Sequence, residues 1–253
     1  MPAPPPLARD AALFLDLDGT LLEIAPRPEL VRVPDGLPAL LARLAAQRDG
    51  ALAVVSGRRL ADVDLLLAPW RGAVAALHGS ERRRGDGSFV RAEADDAVAA
   101  LEELRDPLRL AAAPRPGVWL EDKGETLALH YRAAPEREAE LRDLAARLVA
   151  EAGDRLRLIA GKMVLEVQPR HHNKGAAIAA FLREPPFCGR QPVFVGDDTT
   201  DEDGFREVNR RGGVSVRVGP RATTAAACEL PSVGVALDWL RAAAADRPSV
   251  GTR

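Results

Sequence analysis

LFLDLDGTLL, residues 13–22, is the stretch on which the fold turns. Its apolar start, too short for a helix, reads as a strand buried on both faces of a parallel sheet. Asp16 interrupts that run, and Asp18 follows two positions on. A carboxylate at the end of a buried strand is costly unless something pairs with it. Alternate residues of an extended chain point the same way, so both carboxylates can serve one site. Gly19 lets the loop bring its backbone N–H groups close to an anion.

The same pattern of a short apolar run ending in a polar turn recurs in ALAVVSGR (51–58), GAVAALHGS (72–80) and PVFVGDDTTDEDGF (192–205). Helix-spaced apolar residues lie between the runs: Leu37, Leu40, Leu41 and Leu44, then Ile178, Phe181 and Leu182. GVSVRVG (213–219) reads as a further strand and ALDWLRAAAA (236–245) as a closing helix. Strand–helix alternation predicts an α/β fold with a doubly wound, Rossmann-like parallel sheet, whose ligands sit at the carboxyl ends of the strands. Asp16, Ser56, His78 and Asp197 all fall at such ends.

The middle of the chain alternates with period two instead. VWLEDKGETLALHYR (118–132) predicts a hairpin turning near Lys123-Gly124. An amphipathic helix is expected around 135–151, and a second hairpin around Ala160-Gly161 in RLRLIAGKMVLEVQP (155–169). Leu127, Leu129 and Tyr131 share one face, as do Met163, Leu165 and Val167; Lys162, Glu166, His130 and Arg132 face the other way. The expected organisation is a core from 1–90 and 171–253, with an inserted α/β cap from 91–170 whose sheet has one apolar and one ionic face.

The 253 residues suffice for this arrangement. A formal net charge of -2 gives no reason to expect nucleic acid or an anionic membrane as partner. The triplet Arg82-Arg83-Arg84 reads as a solvated turn. Two cysteines imply no disulfide framework and point to a reducing, cytoplasmic setting. No apolar stretch approaches the ~20 residues that span a bilayer. A monomer is expected.

The polar residues at the strand ends suit phosphoryl transfer. Asp16 is a nucleophile for phosphorus, and Asp18 can protonate the leaving oxygen and later take a proton from water. Ser56 offers a hydroxyl to a phosphoryl group, or a cap to the next helix. Lys174 stands at a helix start, where the dipole favours an acid, so a cation there suits an anionic site. GDDTTDED (196–203) clusters Asp197, Asp198, Asp201, Glu202 and Asp203, which repel unless a cation such as Mg²⁺ neutralises them.

In type and order these residues resemble the haloacid dehalogenase superfamily, through DLDGT, SGR, Lys174 and GDDTTDED. The resemblance implies Asp16 as nucleophile, Asp18 as acid/base, Ser56 and Lys174 as catalytic partners, and Arg58 as a substrate ligand. It implies Mg²⁺ held by the Asp16 carboxylate, the Asp18 carbonyl and Asp197. Asp198 and Asp201 stand behind those ligands, with Asp198 an alternative ligand. Because Asp18 is present, phosphomonoester hydrolysis is the expected chemistry.

HGSE, LEDKGETLALHYR, GKMVLEVQP and NKG extend the resemblance to one branch, the trehalose-6-phosphate phosphatases, from about residue 12 to about 240. That branch implies Glu121, Lys123, Arg132, Lys162 and Glu166 as ligands of a disaccharide, a small-molecule substrate. The residues agree: at ~3.3 Å per residue, Lys162 and Glu166 on one strand face span about 13 Å, the scale of a disaccharide. Alternatives are a phosphatase for sucrose or glucosylglycerol phosphate, and a non-catalytic sugar-phosphate sensor. The sensor is disfavoured because Asp16, Asp18, Lys174 and Asp197 are all retained. Adjacent His171 and His172 are expected to point apart, one lining the domain hinge. His78 and His130 can each meet sugar or backbone, and Glu81 has no assigned role.

Overall fold

The computed structural model describes residues 1–25, 30–91, 96–161, 163–220 and 223–245. Its larger sheet has eight strands, in the order β12-β11-β10-β1-β2-β3-β4-β5. The central strands are β1 (Ala12–Leu15), β2 (Leu52–Val55), β3 (Ala73–Ala76) and β10 (Pro192–Gly196). All four are buried at every residue and pair in parallel. That is why their sequences carry no polar alternation. β11 (Val214–Val218) and β12 (Cys228–Leu230) extend the parallel run on one side.

Successive side chains of each central strand enter opposite layers. Leu13 and Leu15 pack with α1 (Leu37–Ala46) and α7 (Val233–Ala244), through Leu41, Leu44, Leu237 and Leu240. Ala12 and Phe14 face α5 (Lys174–Phe181) and α6 (Glu202–Arg210). On that side the strands offer Ala53, Ala73 and Ala75, and the space is filled by Phe14, Phe181, Phe187, Phe194 and Phe205. Phe14 and Phe187 stack with centroids 5.4 Å apart. Large rings against small strand residues give the close packing a buried sheet requires. α2 (Leu60–Leu66) follows β2 and contributes Val63 to the first layer.

Arg82-Arg83-Arg84 is not a solvated turn. Arg82 and Arg83 lie in β4 (Glu81–Arg83), which forms an antiparallel hairpin with β5 (Phe89–Arg91) at the sheet edge. Arg82 is largely buried over the Phe181 ring and, with Arg84, holds Glu184; Arg83 holds Asp64 at 2.7 Å. The acids that make burial tolerable come from distant parts of the chain, so the local sequence does not disclose them.

The second sheet is antiparallel, in the order β6-β7-β9-β8: β6 (Trp119–Asp122), β7 (Leu127–His130), β9 (Val164–Pro169) and β8 (Leu156–Gly161). One face carries α3 (Asp96–Ala112) and α4 (Glu138–Glu151) over Leu127, Leu129, Tyr131, Leu165 and Val167. α3 presents Leu101, Leu104 and Leu108 at helix spacing, yet contains Pro107, which disguises it in the sequence as a broken segment. The second hairpin turns later than expected. β8 runs to Gly161, and Met163 has φ 65° and is exposed rather than part of the apolar face. The expected spacing from Lys162 to Glu166 cannot be followed, because Lys162 lies outside the described residues.

Candidate active site

The parallel register aligns the carboxyl ends of β10, β1, β2 and β3, with Leu15 opposite both Val195 and Val54, and Val55 opposite Ala75. The residues that follow, Asp197, Asp16, Ser56 and His78, therefore line one edge of the sheet. They open on a cavity of about 280 Å³ whose other wall is the second sheet. That size is near the lower end for small-molecule sites.

Asp16 is buried and accepts Lys174 Nζ at 2.6 Å and Thr20 Oγ1 at 3.0 Å. Thr20, passed over in the sequence reading, is thus what orients the first carboxylate; its signal was the Asp-x-x-x-Thr spacing of the turn. Lys174 begins α5, which Asn173 caps by accepting the Ala176 N–H at 2.8 Å, and its ammonium also meets Asp201 at 2.6 Å. The other Asp201 oxygen accepts the backbone N–H groups of Asp197 (2.9 Å) and Asp198 (2.8 Å). Both oxygens of Asp201 are engaged in holding neighbours. Asp198 shares a reciprocal capping box with it.

Asp16, Asp197 and Asp201 bring carboxylate oxygens within 4.8 Å of one another, all buried. Burial raises the Asp16 carboxyl well above its ordinary value; Lys174 pulls it down, while Asp201 and Asp197 add to the rise. One ammonium against three buried carboxylates leaves an excess of negative charge, and an oxygen-only donor set fits a hard divalent cation. Gly19 closes this cluster from the other side. Its φ is 85°, and a Cβ there would come within 2.1 Å of Asp197 Oδ2, so only glycine lets the loop approach so closely.

Asp18 faces the same cavity, held by Arg58 through Nε (2.6 Å) and Nη2 (2.7 Å). Burial opposes the Arg58 charge, but Asp18 outweighs it and the guanidinium pKa is raised. Arg58, expected as a substrate ligand, is thus engaged with the acid/base candidate. Ser56 is buried and accepts the Arg58 N–H at 3.1 Å; α2 starts only at Leu60 with Arg59 as its cap residue, so Ser56 does not cap it.

From the second sheet come Glu121, His130 and Glu166, with Lys123 and Arg132 just beyond its strand ends. Lys123 Nζ is 3.1 Å from Glu166 and 3.9 Å from Glu121, whose carboxylate meets His130 Nε2 at 2.9 Å. Trp119 stacks on the His130 ring at 4.0 Å. Burial alone would raise Glu166, but Lys123 and then His78 outweigh it and hold the carboxyl well below the usual carboxylate range. Glu81 lies in β4, outside this wall. His171 and His172 do not point apart: their rings meet edge to face at 4.2 Å, because the chain turns there instead of running extended.

A family model described as trehalose-phosphatase matches residues 14–229. The Sinorhizobium fredii protein named "Probable trehalose-phosphate phosphatase" is 48% identical over 209 residues, covering 83% of this chain and 78% of its own. The Escherichia coli trehalose-6-phosphate phosphatase is 46% identical over 236 residues, 93% of this chain and 87% of its own. The solved structure of the C. albicans trehalose-6-phosphate phosphatase C-terminal domain superposes with a TM-score of 0.79 at 25% identity, covering 96% of this chain and 97% of that one. The larger sheet and its helices have the haloacid dehalogenase fold.

Proposed function

The chain belongs to the trehalose-phosphatase family, and from that premise we propose that it is a Mg²⁺-dependent phosphatase that hydrolyses trehalose 6-phosphate through an aspartyl-phosphate. The observation that carries the reading is that Asp16, Asp18 and Lys174 share one cavity with Lys123, Glu121 and Glu166. Residues 1–90 and 171–253 are read as the catalytic core and 91–170 as the cap that recognises sugar. The free Cys188 and Cys228 suit a cytoplasmic setting, and a role in trehalose biosynthesis follows from the proposed activity.

In the first step an Asp16 oxygen attacks phosphorus and the bond to the sugar oxygen breaks. Asp18, as the acid, protonates that leaving oxygen, and trehalose departs. In the second, water attacks the phosphorus of the acyl phosphate while Asp18 takes its proton. The Asp16–phosphorus bond breaks, releasing phosphate and restoring both carboxyl groups. Asp16, Asp197 and the Asp18 carbonyl would hold Mg²⁺, which supplies positive charge against the buried carboxylates and the phosphoryl oxygens. Lys174 keeps Asp16 oriented and Asp201 holds the loop of Asp197 and Asp198; Arg58 steadies Asp18. On the cap, Glu121, Lys123, Arg132 and Glu166, with Lys162 by resemblance, offer charged partners to sugar hydroxyls.

Chelator-treated protein is expected to lose phosphate release and to regain it with Mg²⁺, with Ca²⁺ a poor substitute because it takes more ligands at longer distances. Full activity after exhaustive chelation overturns the metal assignment. A phosphate-release screen over sugar phosphates tests the substrate, with trehalose 6-phosphate expected to lead. Lys123→Ala and Glu166→Ala should each lower kcat/KM for it by roughly 30- to 150-fold, the worth of a charge-assisted hydrogen bond. Hydrolysis of p-nitrophenyl phosphate, which has no disaccharide to hold and a leaving group that scarcely needs a proton, should fall far less. Parallel loss of both activities in folded variants removes the cap from sugar recognition.

A further inference from the structure

The phosphoryl chemistry makes no use of His78, yet the fold places it with care. After β3 the chain turns through Leu77 and His78 with φ of 48° and 58°, a left-handed conformation that histidine adopts more readily than most residues. Leu77 donates its N–H to the Arg58 carbonyl and His78 to the Ser56 carbonyl, both at 3.0 Å. The ring is buried and lies directly over Gly57, where a Cβ would come within 2.6 Å of Nε2. Backbone and ring are thus both fixed on the Ser56–Arg58 loop.

From that loop the ring reaches the cap. Nε2 stands 3.3 Å from Glu166 Oε2, close enough for an electrostatic contact though not aligned as a hydrogen bond. Glu166 also holds Lys123, which neighbours Glu121 and through it His130. The ionic face of the cap therefore forms one chain of contacts, and His78 joins that chain to the loop beside Asp18. Burial pushes the His78 pKa down, against the opposing influence of Glu166, so a neutral ring with its proton on Nε2 can donate to that carboxylate. Contacts of this kind are commonly loose before substrate binds and tighten in the complex.

We propose that His78 is a positioning residue: fixed on the Ser56–Arg58 loop, it sets where Glu166 stands and so registers the sugar-reading face of the cap against the phosphate site. The inference rests on the reading of this cavity as a sugar-phosphate site.

His78→Asn is the informative variant, because asparagine also tolerates the left-handed backbone while its shorter side chain withdraws from Glu166. With trehalose 6-phosphate its KM should rise about tenfold with kcat within about threefold. The same substitution made in Glu166→Ala should change KM less than about twofold, since the contact is already broken. Independent effects in that cycle, or a fall in kcat as large as the rise in KM, overturn the proposal. A substrate-free measurement keeps it separate from the substrate assignment. Of the four histidines, the imidazole ¹⁵N signal that vanishes in His78→Asn should shift in Glu166→Gln. An unmoved signal overturns the proposal. If trehalose 6-phosphate is not hydrolysed by the parent protein, the substrate reading fails and the His78–Glu166 contact is decided by this signal alone.

Discussion

Asp16→Asn is expected to reduce phosphate release by more than about 10⁴-fold, because an amide oxygen is a poor nucleophile and the acyl phosphate can no longer form. The loss should appear with every substrate, including p-nitrophenyl phosphate, since it touches phosphorus and not the leaving group. Folding should survive: the variant removes one of three clustered buried carboxylates and leaves Lys174 on Asp201 at 2.6 Å. Asp18→Asn should behave differently. Attack on phosphorus remains possible, slowly, but water then lacks its base, so acid-quenched protein should carry phosphate on the peptide containing Asp16. Steady-state rates and peptide mass spectra of the two variants check this. Near-parental turnover in Asp16→Asn would remove the nucleophile from the mechanism.

Lys174→Met should cost both activity and stability. The ammonium is buried against Asp16 and Asp201, and its removal leaves two buried carboxylates uncompensated. Breaking a buried pair from one side typically costs about 3–5 kcal/mol. For a chain of this size that lowers Tm by roughly 6–20 °C in metal-free protein. Adding Asp16→Asn to Lys174→Met should recover part of the lost Tm, because it withdraws one of the stranded charges, while activity stays lost. Thermal melts of the two single variants and the double variant decide this. Additive destabilisation would mean that Lys174 is held by packing and not by the carboxylates.

The reach and the limits of the sequence follow from where each constraint lies. Short apolar runs that each end in a polar or glycine turn read as strands inside a covered sheet, so β1, β2, β3 and β10 were legible. The polar residue after each run had to fall on the edge where parallel strands end. Asp16, Ser56, His78 and Asp197 therefore fall together on that edge. The period-two pattern at 127–131 likewise disclosed the apolar face of the second sheet. α3 was not legible, because Pro107 breaks the local helix signal and burial of Leu101, Leu104 and Leu108 overrides it. Nor was the burial of Arg82, whose compensation by Glu184 comes from 102 residues away.

By itself, then, the sequence determined the central parallel strands, the edge on which their polar residues fall, and which carboxylates and which lysine stand near it, because those depend on short-range periodicity and on which side chains can survive at a strand end. Only the tertiary structure decided that Arg58 turns to Asp18, that Asp201 spends both oxygens on Lys174 and on the backbone of Asp197 and Asp198, and that His78 meets Glu166. The Arg58–Asp18 and Lys174–Asp201 contacts join segments 40 and 27 residues apart, and His78–Glu166 joins the two sheets. Their partners are chosen by how the sheets pack, which no local pattern of residues records.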